Sequence, residues 1–179
     1  MFGSKSSTAS QSQRQWAMQA LTLDYLIEGN VQPSDELTLL LEGGRRYYER
    51  RYVLTLAPAQ IQPTGSLTTP TLSVSQWTLE HRGGLVALIP RDEASTQALL
   101  KVTQSKTFPF RAVMYVGSYV IRASLTPESQ AFGQVLEGWA FIQAKDAEID
   151  CQLPGAQLSG LTAPWLVLNR ELMQGYHPA

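Results

Sequence analysis

The sequence predicts a mainly β protein made of two tandem repeats, each a small barrel or a curled antiparallel sheet, joined by a short helical linker. Apolar and polar residues alternate along short segments separated by Gly and Pro, which is typical of half-buried strands. Residues 25–33 align without a gap with residues 119–127, and such self-similarity indicates a duplicated structural unit. Between the copies, Asp92 and Glu93 precede several apolar residues, and acidic groups stabilise a helix N-terminus.

The two copies keep the same order of features after this aligned segment. Each has an apolar run ending in Leu-Glu-Gly, then a predicted strand, and then an Ala-x-Ile step. These features occupy residues 41–43, 52–56 and 59–61 in the first copy and residues 136–138, 140–144 and 147–149 in the second. The shared order predicts that both copies bury equivalent apolar faces.

The copies differ in their ends and in their connections. Each is expected to close with one more apolar strand, at residues 85–89 in the first copy and 165–168 in the second. The first copy also carries two insertions, residues 45–51 and 67–84, and loops absorb such additions at a small entropic cost. Residues 71–80 in the longer insertion alternate in polarity, which predicts an extra hairpin.

These features divide the chain into four segments. Residues 1–15 contain few apolar side chains, and we expect a flexible tail there because so little buried surface does not offset the entropy of ordering. Residues 16–90 are predicted to form the first β module, residues 91–109 the helical linker, and residues 110–179 the second β module.

The composition is that of a globular protein without a strong overall charge. Apolar residues make up 44% of the chain, charged residues make up 16%, and the formal net charge is −1. A nearly neutral chain creates no global field that would gather nucleic acid, so a charged partner must be met by a local patch. No apolar stretch approaches the roughly 20 residues that cross a bilayer, and the N-terminal residues lack the apolar region of a secretory signal, so we expect a cytoplasmic location.

The residue types that carry most catalytic and metal chemistry are scarce. Cys151 is the single cysteine, and His81 and His177 are the only histidines. We therefore expect no intrachain disulfide, no metal site and no histidine-activated nucleophile. Asp146 and Asp150 lie four residues apart and form an available carboxylate pair, but most surface acids are solvated. The expectation is a protein without enzymatic activity or cofactor.

The most distinctive local feature is a segment in which arginines are interleaved with tyrosines. It contains Arg45, Arg46, Tyr47, Tyr48, Arg50 and Arg51. Guanidinium groups contact phosphates and phenol rings stack on bases, so the segment predicts RNA or single-strand DNA binding, with Arg82 as a further contact. The same residues also suit a protein interface, where Tyr and Arg are enriched, or a solvated hairpin connection.

One segment of the first copy is similar to a known family. Residues 81–89, with Arg82-Gly83 followed by spaced aliphatic residues, resemble the second signature of the Sm-like small β-barrel proteins. The resemblance implies a bent strand meander in each module and homo-oligomers, because Sm-like proteins assemble rings through strand edges.

Members with RNA activity carry an Asp and Asn pair in the first signature, whereas residues 32–43 contain Asp35 and no asparagine. The second copy has no Arg-Gly step, so the resemblance does not carry a paired RNA pocket over to it. The strand order also looks like that of uncharacterised bacterial domains, which imply no activity.

Three functions are open at this point. The first is a non-enzymatic interaction or scaffold protein that associates with itself or with a protein partner through exposed strand edges and aromatic loops. The second is RNA or single-strand DNA binding through the arginine and tyrosine segment. The third is an enzyme or a small-ligand site between the modules that uses Asp146 or Asp150.

Overall fold

The structure of the protein is a computed structural model that describes residues 15–34, 37, 53–65, 69–80, 84–102, 107, 109–125, 141–156 and 158–179. Its strands are β1 (Trp16–Thr22), β2 (Tyr25–Val31), β3 (Val53–Leu56), β4 (Ala59–Pro63), β5 (Leu72–Val74), β6 (Trp77–Glu80), β7 (Leu85–Pro90), β8 (Phe110–Val116), β9 (Tyr119–Leu125), β10 (Phe141–Cys151), β11 (Leu161–Asn169) and β12 (Met173–Pro178). A helix, α1 (Glu93–Val102), follows β7, and a 3-10 turn at Arg170–Leu172 precedes β12. The fold is mainly β, as the sequence predicts. Among the described residues, no helix has the length and apolar character needed to cross a membrane.

Ten of the strands form one open antiparallel sheet. Their order is β12-β8-β9-β10-β11-β7-β1-β2-β4-β5, and β3 pairs with β6 in a second, two-stranded sheet. Neither sheet closes into a barrel in the part of the chain that the structure describes, so of the two predicted alternatives, a small barrel or a curled antiparallel sheet in each half, the barrel is wrong. The reason is that β7, the last strand of the first half, has its outer edge against β11 of the second half.

Both halves begin with the same hairpin. β1 and β2 are seven residues long and pair antiparallel, and so are β8 and β9. Ile27 of β2 then faces Ile61 of β4, and Ile121 of β9 faces Ile149 of β10. These positions correspond in the alignment of the two sequence segments, so the strand register agrees with the alignment in this region.

The next strands also correspond, although their continuity differs. In the second half, one long strand, β11, pairs with β10. In the first half two separate strands take that place, with β6 pairing with β3 and β5 pairing with β4, and the facing residues match those of β10 and β11. Leu56 faces Trp77 in the first half, and the corresponding Ala144 faces Leu166 in the second. β5 and β6 thus pair with different partners in the described sheets, and the predicted extra hairpin at residues 71–80 is wrong.

The last strand of each half returns to the first strand of that half. β7 pairs with β1, and β12 pairs with β8, each antiparallel and each with a register shift near its start. The strand that corresponds to β7 is therefore β12. The predicted correspondence between residues 85–89 and 165–168 is wrong, because residues 165–168 belong to β11.

The interruption between β3 and β4 has a counterpart in β10. Pro58 lies between β3 and β4, and proline lacks the backbone N–H that a sheet ladder uses. The corresponding residue of the second half, Asp146, keeps the chain in one strand but has φ of 52° and lies at a register shift between β10 and β9. A left-handed residue at such a shift is typical of a β-bulge, which bends the strand.

The cores of the two halves interlock. One buried cluster consists mainly of second-half residues, with these first-half additions: Leu21, Leu26, Val86, Ala87 and Ile89. The other consists mainly of first-half residues, with these second-half additions: Phe141, Trp165 and Val167. Burying one large apolar side chain stabilises a fold by roughly 1.5–3 kcal/mol. Each half therefore depends on the other for part of its core.

Candidate interaction edges and the seam between the halves

The arginine and tyrosine residues singled out in the sequence lie outside the described residues. This applies to Arg45, Arg46, Tyr47, Tyr48, Arg50, Arg51 and Arg82. Nucleic-acid binding through these residues stays a prediction from the sequence.

The two candidate carboxylates have different environments. Asp146 is exposed at the bulge. Asp150 accepts hydrogen bonds from Nη1 of Arg122 at 2.7 Å and from the backbone N–H of Gly160 at 3.0 Å. The Arg122 guanidinium, followed by the Gly160 N–H, lowers the pKa of Asp150, so this carboxyl group is held in its ionised form. Among the described residues, no group of three His, Cys, Asp or Glu side chains is placed to hold a metal ion.

One groove touches both halves of the chain. It has a volume of about 360 Å³, and its walls include Asp24, Tyr25 and Leu72 of the first half and Leu153 of the second. The described residues that line it include neither of the two candidate carboxylates. The predicted ligand site between the modules is therefore not assembled in this groove from those two aspartates.

The seam between the halves is the antiparallel contact of β11 with β7. Val167 faces Leu88, and Leu168 faces Ala87. All six residues of β7 are buried, because β1 lies along its other edge and core side chains cover its faces. This contact joins two five-stranded halves into the ten-stranded sheet.

Tyr119 ties the second half to the first hairpin. Its hydroxyl donates to the carbonyl oxygen of Thr22 at 2.9 Å and also lies 2.9 Å from Oγ1 of Thr64. The residue is 1% exposed, and burial raises the pKa of Tyr119 to about 12, because an apolar environment disfavours the charged phenolate. A buried phenol with satisfied hydrogen bonds acts as an anchor of the seam.

The two hairpin turns meet beside this anchor. Leu23 of the first turn packs on Gly117 of the second, where φ is +59°. A Cβ at position 117 would lie 2.6 Å from Cδ2 of Leu23. Glycine therefore meets two requirements here, a left-handed backbone and a close approach of a neighbouring side chain.

Tyr25 occupies the place in the first half that Tyr119 occupies in the second. Each is the first residue of the second hairpin strand. Tyr119 is 1% exposed, whereas Tyr25 is 40% exposed. The difference follows from their positions, because Tyr119 lies at the seam and Tyr25 lies on the groove near the open end of the sheet.

Five of the exposed large apolar side chains lie on strands toward the two ends of the ten-stranded sheet or on the two-stranded sheet. Tyr115 and Tyr176 lie on β8 and β12, and Tyr25, Val53 and Leu72 lie on β2, β3 and β5. Within the described residues, β12 pairs only with β8, β6 only with β3, and β5 only with β4. We call the uncovered sides of β12 and β6 the β12 edge and the β6 edge. Each presents backbone hydrogen-bonding groups next to apolar surface, an arrangement that accepts a further strand.

The sequence pattern predicts strand structure at residues 71–80, which contain β6, but it does not identify β12. β12 reads Met-Gln-Gly-Tyr-His-Pro and is largely exposed, so it lacks the apolar run from which the closing strand was predicted. A signal was present in the spacing, because β12 follows β11 after three residues, as closely as β7 follows β6 after four.

Comparisons of the chain with protein-family models, with curated proteins and with solved structures found no match.

Replacing the seam tyrosine by phenylalanine is expected to destabilise the fold. Tyr119→Phe leaves the carbonyl of Thr22 and the hydroxyl of Thr64 without this partner, which costs about 1–3 kcal/mol for buried groups. The matched control is Tyr25→Phe, at the corresponding exposed position, where we expect a change within about 0.5 kcal/mol. The measurement is denaturant unfolding at a concentration where the chain is monomeric. Equal losses in the two variants would contradict the anchoring role.

The same tyrosine is expected to make stability fall at high pH. Below about pH 10 the phenol is protonated in both states, and stability does not depend on it. Between the unfolded pKa of 10.0 and the folded pKa of about 12, only the unfolded state ionises, so the free energy of unfolding falls by about 2–3 kcal/mol. Because other groups also titrate there, the quantity to measure is the difference between the wild type and Tyr119→Phe. A constant difference from pH 9 to pH 12 would show that Tyr119 does not cause the loss.

Adding a methyl group at the turn contact is expected to cost more than its backbone strain alone. Gly117→Ala places a left-handed alanine against Leu23, whereas the control Gly160→Ala, with φ of +70° and no atom within 4 Å of the added Cβ, has only the strain. We expect a loss of about 1–2 kcal/mol in the control and about 1–3 kcal/mol more at position 117. Adding Leu23→Ala to Gly117→Ala should recover the packing part, as measured in a double-mutant cycle. Additive losses would refute the contact.

Proposed function

We propose that this chain is a non-enzymatic interaction or scaffold protein that self-associates through the exposed edges of its sheet. The observation that carries the proposal is that β12 and β5, at the ends of the ten-stranded sheet, and β6, in the two-stranded sheet, each have an uncovered side in the described part of the chain, with exposed apolar side chains nearby. Unpaired backbone groups beside apolar surface favour the addition of another strand, in which main-chain hydrogen bonds provide affinity and side-chain contacts provide specificity.

The composition of the edge strands supports this function. Soluble proteins protect exposed edges with lysines, with internal prolines or with inward-pointing charges. β12 contains no Lys, Arg, Asp or Glu, and its proline is the last residue. β6 reads Trp-Thr-Leu-Glu and β5 reads Leu-Ser-Val, so one acidic residue is the only charge on these two strands. Edges with so little protection suit strands that pair with a partner.

We further propose that the two halves descend from one duplicated strand-rich unit. The shared hairpin length, the matching Ile27–Ile61 and Ile121–Ile149 pairs, and the register shift in both closing strands support a common ancestor. Duplication gives each half the same pair of edges. In tandem, one edge of each half is covered at the seam and the other is left at an end of the sheet.

The charged groups of the described part support a role without catalysis. Asp150 is ion-paired with Arg122 across neighbouring strands, and its lowered pKa makes it a poor proton donor at neutral pH. The raised pKa of Tyr119 comes from burial at the seam, where its hydroxyl binds backbone and Thr64. Both shifts thus belong to contacts that stabilise the fold.

Self-association is tested by static light scattering and sedimentation over a range of protein concentrations. We expect a mass above the monomer value of 19.8 kDa that rises with concentration. Strand pairing relies on backbone hydrogen bonds and apolar contact, so the association should persist at about 1 M salt, where exposed charge pairs are screened. A monomer at every concentration would contradict the proposal.

A further inference from the structure

We infer that the partner at these edges is a second copy of this chain, joined head to tail by the β12 edge of one molecule and the β6 edge of the next. This inference rests on the proposed self-association and adds which strands meet and in which register. The seam between β11 and β7 provides the template, because it is the contact that the same two kinds of edge already make inside the chain.

The first step is the correspondence of the edge strands with the seam strands. Trp77 faces Leu56 as Leu166 faces Ala144, so β6 corresponds to the last part of β11. β6 pairs with β3, which ends before Pro58, and the last part of β11 pairs with the part of β10 that precedes the bulge at Asp146.

The closing strands correspond in the same way. Leu88 faces Ala20, and Tyr176 faces the corresponding Met114, so β12 corresponds to β7. The strands that form the seam, β11 and β7, thus have counterparts in β6 and β12. Both counterparts have an uncovered side within the described residues.

The register of the seam transfers directly to this contact. Inside the chain, Val167 faces Leu88 and Leu168 faces Ala87. The corresponding pairs between two molecules are Thr78 with Tyr176 and Leu79 with Gly175. Gly175 is a small residue where the seam also has a small one, Ala87, so the backbones can approach in the same manner.

The exposed tyrosine of the first half fits the same template. At the seam, the hydroxyl of Tyr119 donates to the carbonyl of Thr22 in the first hairpin. In a head-to-tail contact, the corresponding donor is Tyr25, and the corresponding acceptor is the carbonyl of Val116 in the next molecule. The 40% exposure of Tyr25 is what this position requires before a partner arrives.

Side-chain chemistry distinguishes the internal seam from the open edge. The first-half face that packs on the second half carries Leu21 and Ile89. The corresponding residues near the β12 edge are Tyr115 and His177, whose rings lie 6.0 Å apart. Tyr and His tolerate water and also pack in an interface, so they suit a contact that forms and dissociates. Leu and Ile suit one that is permanently buried.

A head-to-tail contact uses different edges on its two sides, so it is heterologous. Each molecule that binds through its β12 edge keeps its own β6 edge available for another. Such contacts close into rings or extend as filaments, depending on the rotation between successive molecules. A two-fold dimer, in which the same edge meets itself, is the competing arrangement.

A series of variants that introduce charges into the predicted strand pair tests the register. Thr78→Glu and Tyr176→Lys each place a charge in the predicted strand pair, and we expect each to weaken association by about tenfold or more. Combining both changes in one chain places Glu opposite Lys between molecules and should recover most of the loss at low salt. Gln97→Glu and Gln97→Lys, on the exposed side of α1, are the matched controls and should leave association unchanged. Circular dichroism checks that each variant keeps its fold.

A mixing experiment tests the head-to-tail direction. Thr78→Lys retains a native β12 edge, and Tyr176→Lys retains a native β6 edge. Equimolar mixing should yield a one-to-one complex through these two native edges, and growth should stop there because the remaining edges bring two lysines together. A two-fold contact between identical edges would not produce this complementation.

The results separate this inference from the proposed function. A wild-type chain that is monomeric at every concentration contradicts both. A wild-type oligomer that is unaffected by Thr78→Glu and Tyr176→Lys, or single variants that do not complement on mixing, overturns the head-to-tail contact and leaves self-association intact. If a lysine or glutamate variant does not fold, Tyr25→Phe provides the independent measurement, with several-fold weaker association expected and unchanged association overturning the inference.

Discussion

The antiparallel contact of β11 with β7 is the interaction on which the rest of the structure depends. It covers the outer edge of β7 and continues the sheet from one half into the other. It also brings Trp165 and Val167 into the first-half core. Because β11 occupies this edge of β7, the first half does not close on itself, and β5 is left at the far end of the ten-stranded sheet. One contact thus determines the common core and the open ends together.

Much of the strand pattern could be predicted from the sequence because it is local. Alternating polarity and the aligned segments 25–33 and 119–127 locate β2 and β9, and the Ala-x-Ile steps locate β4 and the end of β10. Burial on one face of a strand imposes a period of two on the residues themselves. Acidic residues at the start of α1 likewise mark that helix. These signals do not depend on which strand lies beside which.

Pairing partners were harder to predict because they depend on residues far apart in the chain. Residues 71–80 have the alternation of a hairpin, yet β5 and β6 pair with β4 and β3. A barrel and an open sheet require the same alternation within each strand, so polarity alone does not distinguish them. β12 was missed because its exposed edge position removes the apolar run by which β7 is recognised. The arginine and tyrosine candidates, Arg45 to Arg51 and Arg82, lie outside the described residues.

The difference between β7 and β12 follows from what covers them. Both return to the first strand of their half in the same register, yet β7 reads Leu-Val-Ala-Leu-Ile-Pro and is buried throughout, whereas β12 reads Met-Gln-Gly-Tyr-His-Pro and is mostly exposed. In a strand that lies between two neighbours and is covered on both faces, aliphatic residues on both faces stabilise the fold by burying apolar surface. Within the described residues β12 has a neighbour on one side only, so its exposed side chains meet water, and it carries polar residues such as Gln174 and His177 as well as apolar ones. β7 and β12 thus take the same place in their halves but differ in composition, because β11 covers the outer side of β7 and no described strand covers the outer side of β12.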